Sequence, residues 1–185
     1  MGAAEAIAQL AETEQATRER AAVELYRDGR ALGDAATQGW RADAEFATLV
    51  ARQPTVGVAV TPEHFQSIRA ANAWPRLADV PPDQDAQEFE LHLGEANLDI
   101  LTSRAPQGGG AIANFLRKFG EGIQQVEYFV NDVGRATQIV SERFGVKPIY
   151  PQTRAGADGT RVNFFLANTA DGRKVLIELV EERRT

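Results

Sequence analysis

The most constraining feature of this 185-residue chain is a succession of strand and helix signals that occurs twice after Pro54. In the first copy, the β-like run TVGVAV precedes the helical pattern TPEHFQSIRAANAW, and EFELHLG and ANLDILTS then form a predicted hairpin at Gly94. In the second, IQQVEYFV precedes the helical pattern VGRATQIVSERFG, the short strand VKPIY, and the alternating segments RVNFFLAN and KVLIELVE. Neither copy can bury its sheet alone, so we expect the two to pair into one sheet.

These signals predict an α+β fold in which paired βαβββ modules form a curved sheet cup, with a helical extension at the N-terminus. The predicted organisation is an Ala-rich extension over 1–53, a first module over 54–103, a linker with a short helix over 104–122, and a second module over 123–185.

The extension is predicted to be helical because it contains fifteen Ala and no Pro. One helix is expected from Glu5 to Asp28, with breaks at Gly29 and Gly33, and another from about Asp34 to Arg52. The extension has too few large apolar residues to close a core of its own, which argues against a separate functional domain. We therefore expect it to pack on the modules or on a second copy of the chain, as in a homodimer.

Composition excludes several classes of function. The chain has 20 Lys and Arg against 26 Asp and Glu, a net charge of −6, whereas a nucleic-acid-binding protein needs a basic surface. No apolar run is long enough to span a membrane, and the start MGAAEA lacks the features of a signal peptide, so a cytoplasmic location is expected. Cys is absent, and His64 and His92 are the only sources of imidazole. The simplest interpretation of both His residues is that they lie on the surface and have no functional role.

From Asp99 to Glu181 the chain resembles the vicinal oxygen chelate superfamily, also known as the glyoxalase/bleomycin-resistance/dioxygenase fold. Within that superfamily it is most similar to methylmalonyl-CoA epimerase. The motifs that carry the resemblance are FLRKFGEGIQQVEYFVND, RAGADGTRVNFFLAN and the final KVLIELVEE. The first module matches the superfamily in layout more than in residues.

The resemblance implies four inward-facing metal ligands, from the first and last strand of each module. By position these are Thr55, Asp99, Gln125 and Glu178, and only Glu178 has the residue type of the family. Thr and Gln stand where the family has His, so Zn²⁺ and Fe²⁺ are not expected. The hypothesis is that the metal has been lost and that no cofactor is needed. If a divalent cation is retained, it would be Mg²⁺, Mn²⁺ or Ca²⁺, with Asp99, Gln125 and Glu178 as ligands.

Glu178 is the leading candidate for a catalytic residue because it lies within the apolar strand KVLIELV. A carboxylate that faces the cup is costly to bury and can act as a general base, whereas one that faces outward is an ordinary surface residue. Asp99 is its counterpart in the first module, and two carboxylates in one cup can divide the roles of acid and base.

Other residues are candidates for substrate binding. Strand alternation places Glu127 on the same face as Gln125, with Tyr128 against the helices, and Thr55 and Gln125 would position substrate oxygens. Asn163, together with Phe165, is expected near Glu178, and Glu90 or His92 near Asp99. Two further candidates, Arg154 and Arg161 in the loop RAGADGTR, would hold a carboxylate, phosphate or CoA group, although a plain hairpin loop explains the same residues.

Two hypotheses about function follow. In the first, the chain is an isomerase or lyase that acts on a small carboxylate, keto acid or acyl-CoA thioester by carboxylate acid/base chemistry. In the second, it is a non-catalytic module of the same fold that binds a small molecule or joins an assembly. Both predict a small-molecule ligand and no nucleic-acid or membrane partner.

Overall fold

The computed structural model describes residues 2–182 and confirms the predicted α+β class with an N-terminal helical extension. The helices are α1 (Ala3–Gln9), α2 (Gln15–Ala42), α3 (Ala44–Leu49), α4 (Pro62–Ala71), α5 (Ala111–Phe119) and α6 (Val133–Phe144). The strands are β1 (Thr55–Ala59), β2 (Gln87–Leu93), β3 (Ala96–Thr102), β4 (Gly122–Phe129), β5 (Arg154–Ala155), β6 (Arg161–Asn168) and β7 (Lys174–Glu181). Within this described part, no helix combines the length and apolar character that crossing a membrane requires.

Helix α2 contradicts the predicted breaks, because it continues through both Gly29 and Gly33. The two glycines serve close packing instead. A Cβ atom at Gly29 would lie 2.3 Å from Cγ1 of Val56, and one at Gly33 would lie 2.8 Å from Cγ1 of Val126. The helix therefore keeps two residues of poor helix propensity because larger ones would collide with the strands beneath it.

The chain divides into two compact units, and the extension is shared between them. The first unit holds the residues up to Gly29 together with Thr55–Gln124. Its strands lie in the order β2-β3-β1, with β2 antiparallel and β1 parallel to β3. One face of this sheet packs on α1, α4 and the first part of α2, and its core includes an edge-to-face pair, Phe65 and Phe89, at 4.9 Å between ring centres.

The second unit holds Arg30–Pro54 and the residues from Gln125 onward. Its strands lie in the order β4-β7-β6-β5, with β4 parallel to β7 and the remaining neighbours antiparallel. One face packs on α6, α3 and the second part of α2. Trp40 lies edge-on to Phe165 at 5.5 Å between ring centres, so the extension contributes directly to this core.

Local sequence signals explain most element ends. Thr61 caps α4 by accepting a hydrogen bond from the backbone N–H of His64, Gly94 turns the β2–β3 hairpin at φ +58°, and Gly145 ends α6 at φ +66°. The predicted strand VKPIY is wrong, since the segment forms only an isolated bridge between Pro148 and Phe165. Proline has no N–H to donate, which limits regular pairing there.

Candidate functional site

In the second unit, the pairing register aligns side chains of β4, β7 and β6 in three rows on one face of the sheet. The rows are Phe129–Val180–Val162, Glu127–Glu178–Phe164 and Gln125–Leu176–Leu166. The alternate residues, among them Val126, Tyr128 and Ile177, belong to the core beneath the helices. The predicted orientation of Tyr128 is thus confirmed, and its hydroxyl donates a hydrogen bond to Asp34 at 3.0 Å. Burial raises the pKa of this phenol.

The polar centre of this face is Gln125 with two carboxylates, Glu127 and Glu178, which we call the acid pair. Nε2 of Gln125 donates hydrogen bonds to Oε1 of Glu127 at 3.0 Å and to Oε2 of Glu178 at 2.6 Å. All three side chains are buried, with 8%, 8% and 9% of their surface exposed. Because an unsatisfied buried carboxylate is costly, the shared amide donor helps to stabilise two of them in one row.

The two ends of the face differ in exposure. At one end, which we call the closed end, Phe129, Val180 and Val162 form a buried apolar cluster with Phe164 packed against it. The guanidinium of Arg52, from the extension, lies over the Phe129 ring at 3.3 Å. At the other end Leu166 is 45% exposed, so the acid pair lies between the closed end and the solvent-accessible row that contains Leu166.

The loop before β6 continues the face beyond the acid pair. Arg154 pairs with Val162 in the sheet register, which puts its side chain on the same face as Glu178. Its guanidinium lies 4.6 Å from the centre of the Tyr150 ring, and Tyr150 packs edge-on against Phe164 at 6.0 Å. Phe164, in the row of the acid pair, is thus linked through Tyr150 to the guanidinium group of Arg154.

Two residues predicted to bind substrate, Asn163 and Arg161, lie on the opposite face of the sheet from the acid pair. Phe164 stands directly across from Glu178, so its neighbours Asn163 and the more distant Arg161 are directed away from the acid pair. Asn163 is fully buried, and its amide donates to the carbonyl oxygen of Tyr150 at 3.3 Å. Arg161 donates to the hydroxyl of Thr153 at 2.7 Å. Both contacts hold the loop, and the structure does not bring either residue to the acids.

The first unit places its candidate residues on the corresponding face of its own sheet. Asp99 is 7% exposed and stands between Gly57 and Glu90 in the register, and Thr55, 3% exposed, lies two residues before Gly57. Glu90 therefore lies beside Asp99, as predicted from the hairpin. His92 is two residues further along β2, with Nε2 3.0 Å from Oε2 of Glu90, and its side chain is exposed.

Sequence reasoning passed over one acid on this face. Glu88 precedes Glu90 by two residues on β2, so strand alternation puts both on the same side, and Glu88 is half-buried where Glu90 is exposed. The alternating pattern EFELHL contains the signal that identifies it. His64 lies elsewhere, at the start of α4, with Nδ1 2.8 Å from the Glu121 carboxylate.

The strand pairing makes the candidate residues of the two units equivalent. Asp99 faces Gly57 across a parallel pair in the first unit, just as Glu178 faces Glu127 across a parallel pair in the second. Thr55 and Gln125 each lie two residues before these partners. The four metal-ligand positions implied by the resemblance thus form two equivalent pairs. Thr55 corresponds to Gln125, and Asp99 corresponds to Glu178.

The residues of the second unit do not fit a divalent metal ion. A cation needs lone pairs directed at it, whereas the amide of Gln125 directs its N–H groups at both carboxylates. Among residues 2–182, no group of three or more His, Asp and Glu side chains is arranged to hold a metal ion.

Comparisons with solved structures identify the fold, which is that of the vicinal oxygen chelate proteins. Methylmalonyl-CoA epimerase from Mycobacterium tuberculosis matches 74% of this chain and 91% of its own, with 28% identity and a TM-score of 0.59. A hypothetical protein from Bacillus halodurans matches 72% of this chain and 98% of its own, with 26% identity and a TM-score of 0.58.

A third match is a Streptomyces coelicolor methylmalonyl-CoA epimerase variant in complex with 2-nitronate-propionyl-CoA. It covers 73% of this chain and 99% of its own, with 23% identity and a TM-score of 0.57, which shows the shared fold alone. No family model matches the chain, and no curated protein matches it significantly in sequence.

Proposed function

We propose that this protein is an isomerase of the epimerase type, which moves a proton on the carbon beside a carbonyl group of a small carboxylic acid or acyl-CoA thioester. The observation that carries the proposal is the buried acid pair, Glu127 and Glu178. Both carboxylates accept hydrogen bonds from the amide of Gln125, and the apolar closed end lies beside them. The fold shared with methylmalonyl-CoA epimerases supports the same class of reaction.

In the proposed reaction, the acid pair acts as one base and one acid. Two buried carboxylates that share a donor favour a single bound proton between them. We assign the base to Glu178 and the protonated partner to Glu127, since both carboxylates accept a hydrogen bond from the same amide of Gln125. Glu178 takes the proton from the α-carbon as that C–H bond breaks, and Glu127 gives its proton to the carbonyl oxygen, so that a neutral enol forms.

Completing an epimerisation requires a second acid, which returns a proton to the α-carbon. We assign this role to Asp99, which is buried at the position of the first unit that corresponds to Glu178. Glu88 is a second candidate for the same role because it is half-buried on the same face. Once the new C–H bond forms, the enol O–H returns its proton to Glu127. Glu178 is then protonated and Asp99 ionised, and proton exchange of these two residues with water restores the starting state.

The surrounding residues support a small substrate with one anionic group. The closed end, formed by Phe129, Val162 and Val180, suits a short alkyl substituent. Arg154, on the face of Glu178, suits a carboxylate or phosphate. Gln125 and Thr55 are proposed to orient the acids and a substrate oxygen, and no step of this scheme uses a metal.

The proposal is tested by proton exchange in deuterated water. Methylmalonyl-CoA, which a matched epimerase binds, is the first probe, followed by related acyl-CoA thioesters and their free acids. Loss of the α-proton signal in the NMR spectrum reports the first step without assuming the product. We expect the native protein to catalyse the exchange and Glu178→Gln to reduce its rate by about a thousandfold at an unchanged melting temperature.

Glu90→Gln is the matched control, since it removes an exposed acid from the first unit. A Glu178→Gln variant that exchanges at the native rate would reject the acid/base role. If the native protein exchanges no probe and purifies with a bound small molecule, the non-catalytic binding function is the better explanation.

A further inference from the structure

We infer that the amide of Gln125 takes the place of a bridging cation in the second unit, so that the side chain at position 125 decides whether this face binds a divalent ion. The inference concerns ion binding and does not depend on which substrate is turned over. It rests on the geometry of Gln125, Glu127 and Glu178.

The acid pair occupies one register row, so its side chains leave neighbouring strands side by side. Nε2 of Gln125 lies 3.0 Å from one carboxylate and 2.6 Å from the other, which is the position of an atom that bridges them. A bridging cation would relieve the repulsion between the two acids through its charge, and the amide relieves it through its two N–H donors.

The two solutions exclude one another at this position. An ion that bridges Oε1 of Glu127 and Oε2 of Glu178 would occupy the place of the amide nitrogen, and it would meet the positive ends of the N–H bonds there. All three side chains are buried, each less than 10% exposed, so an ion at this place would have to displace the amide from a packed environment.

The substitution Gln125→Glu is the sharpest test because it has nearly the same shape and converts a donor into an acceptor. The variant brings three carboxylates together without a bridging donor, an oxygen-rich arrangement that suits Mn²⁺ or Ca²⁺. Gln125→His is the second variant, since imidazole with two carboxylates suits Co²⁺ or Zn²⁺. Gln66→Glu adds the same charge at an exposed position of α4 and controls for unspecific effects of cations.

Each protein is treated with EDTA and dialysed, and its melting temperature is then measured with EDTA, Mn²⁺ or Co²⁺. Isothermal titration calorimetry gives the stoichiometry. We expect the native protein and Gln66→Glu to show no stoichiometric binding and a shift below about 1 °C, since an ion that does not bind adds no stability. We expect Gln125→Glu to bind one Mn²⁺ per chain and to melt roughly 5–10 °C higher at an ion concentration about 100 times Kd.

Two results would overturn the inference. One is stoichiometric binding of Mn²⁺ or Co²⁺ by the native protein with a shift as large as that of the variants. The other is a pair of folded variants, Gln125→Glu and Gln125→His, neither of which gains an ion. If one variant does not fold, the other and the native protein still decide the question. Because no substrate is present, a negative exchange assay leaves this test unaffected.

Discussion

The two modules use the same strand pairing to present their acids in opposite ways. Across from the acid of the last strand, the first module has Gly57 and the second has Glu127. On the other side, the first module has the exposed Glu90 where the second has the apolar Phe164. The residue on β1 or β4 therefore decides whether the acid of the last strand has a second buried acid beside it. The comparison teaches that the scaffold fixes positions, and side chains at those positions set the chemistry.

The cores of the two modules offer the largest expected effect. Phe89 and Phe165 are both fully buried, each edge-on to another aromatic ring. We expect Phe89→Ala and Phe165→Ala each to lower the free energy of unfolding by about 3–5 kcal/mol, through lost burial and a cavity. Urea denaturation measures both. A cost below about 1 kcal/mol in one module alone would show that the cores are not comparable.

The acid pair gives the next effect. Glu127→Gln keeps the shape of the side chain and removes the proposed acid, so α-proton exchange should slow by about a hundredfold, equivalent to about 2.7 kcal/mol in the activation barrier. The exchange rate under saturating probe provides the measurement. Exchange at the native rate would reduce Glu127 to a structural residue and leave Glu178 to act without it.

The glycines of α2 test how tightly each module packs on the extension. Gly29→Ala forces a contact of 2.3 Å with Val56 and Gly33→Ala one of 2.8 Å with Val126, so each should cost about 1–3 kcal/mol, with Gly29→Ala the costlier. Gly39→Ala is the control, because its new Cβ would lie 3.4 Å from Phe144. We expect the control to gain up to about 1 kcal/mol from helix propensity. Equal effects at all three positions in urea denaturation would refute the packing argument.

The smallest effect belongs to the exposed acid of the first module. Glu90→Gln should change the free energy of unfolding by less than about 0.5 kcal/mol, since surface substitutions of this kind are nearly neutral. It should also leave the exchange rate within a factor of about two, well below the effect expected of a catalytic acid. A hundredfold slower exchange rate in Glu90→Gln would contradict this expectation and would indicate that the exposed Glu90 takes part in the proton transfer.

Much of the fold follows from local patterns, whereas the errors arise where distant residues decide. Alternation and caps predict the hairpin at Gly94, the start of α4 at Thr61 and the orientation of Tyr128, because neighbouring residues determine these features. Gly29 lies inside helix α2 rather than at its end, because Val56 packs where a side chain would be, and that contact leaves no trace in the local sequence. The sequence places Asn163 within a strand, but it does not show whether Asn163 or the adjacent Phe164 faces Glu178. That choice depends on the register with the partner strand, and the structure places Phe164 there.

The division of the extension has a consequence for how the chain is made. Residues 30–54 belong with a unit whose remaining residues begin at Gln125, and Ala51 donates a backbone hydrogen bond to Phe129 at 2.8 Å. During synthesis, this early segment leaves the ribosome long before its partners do. The residues of the first unit are all present once Gln124 has emerged, when most of the second unit has not yet been made. Synthesis from the N-terminus thus completes the residues of one half before those of the other.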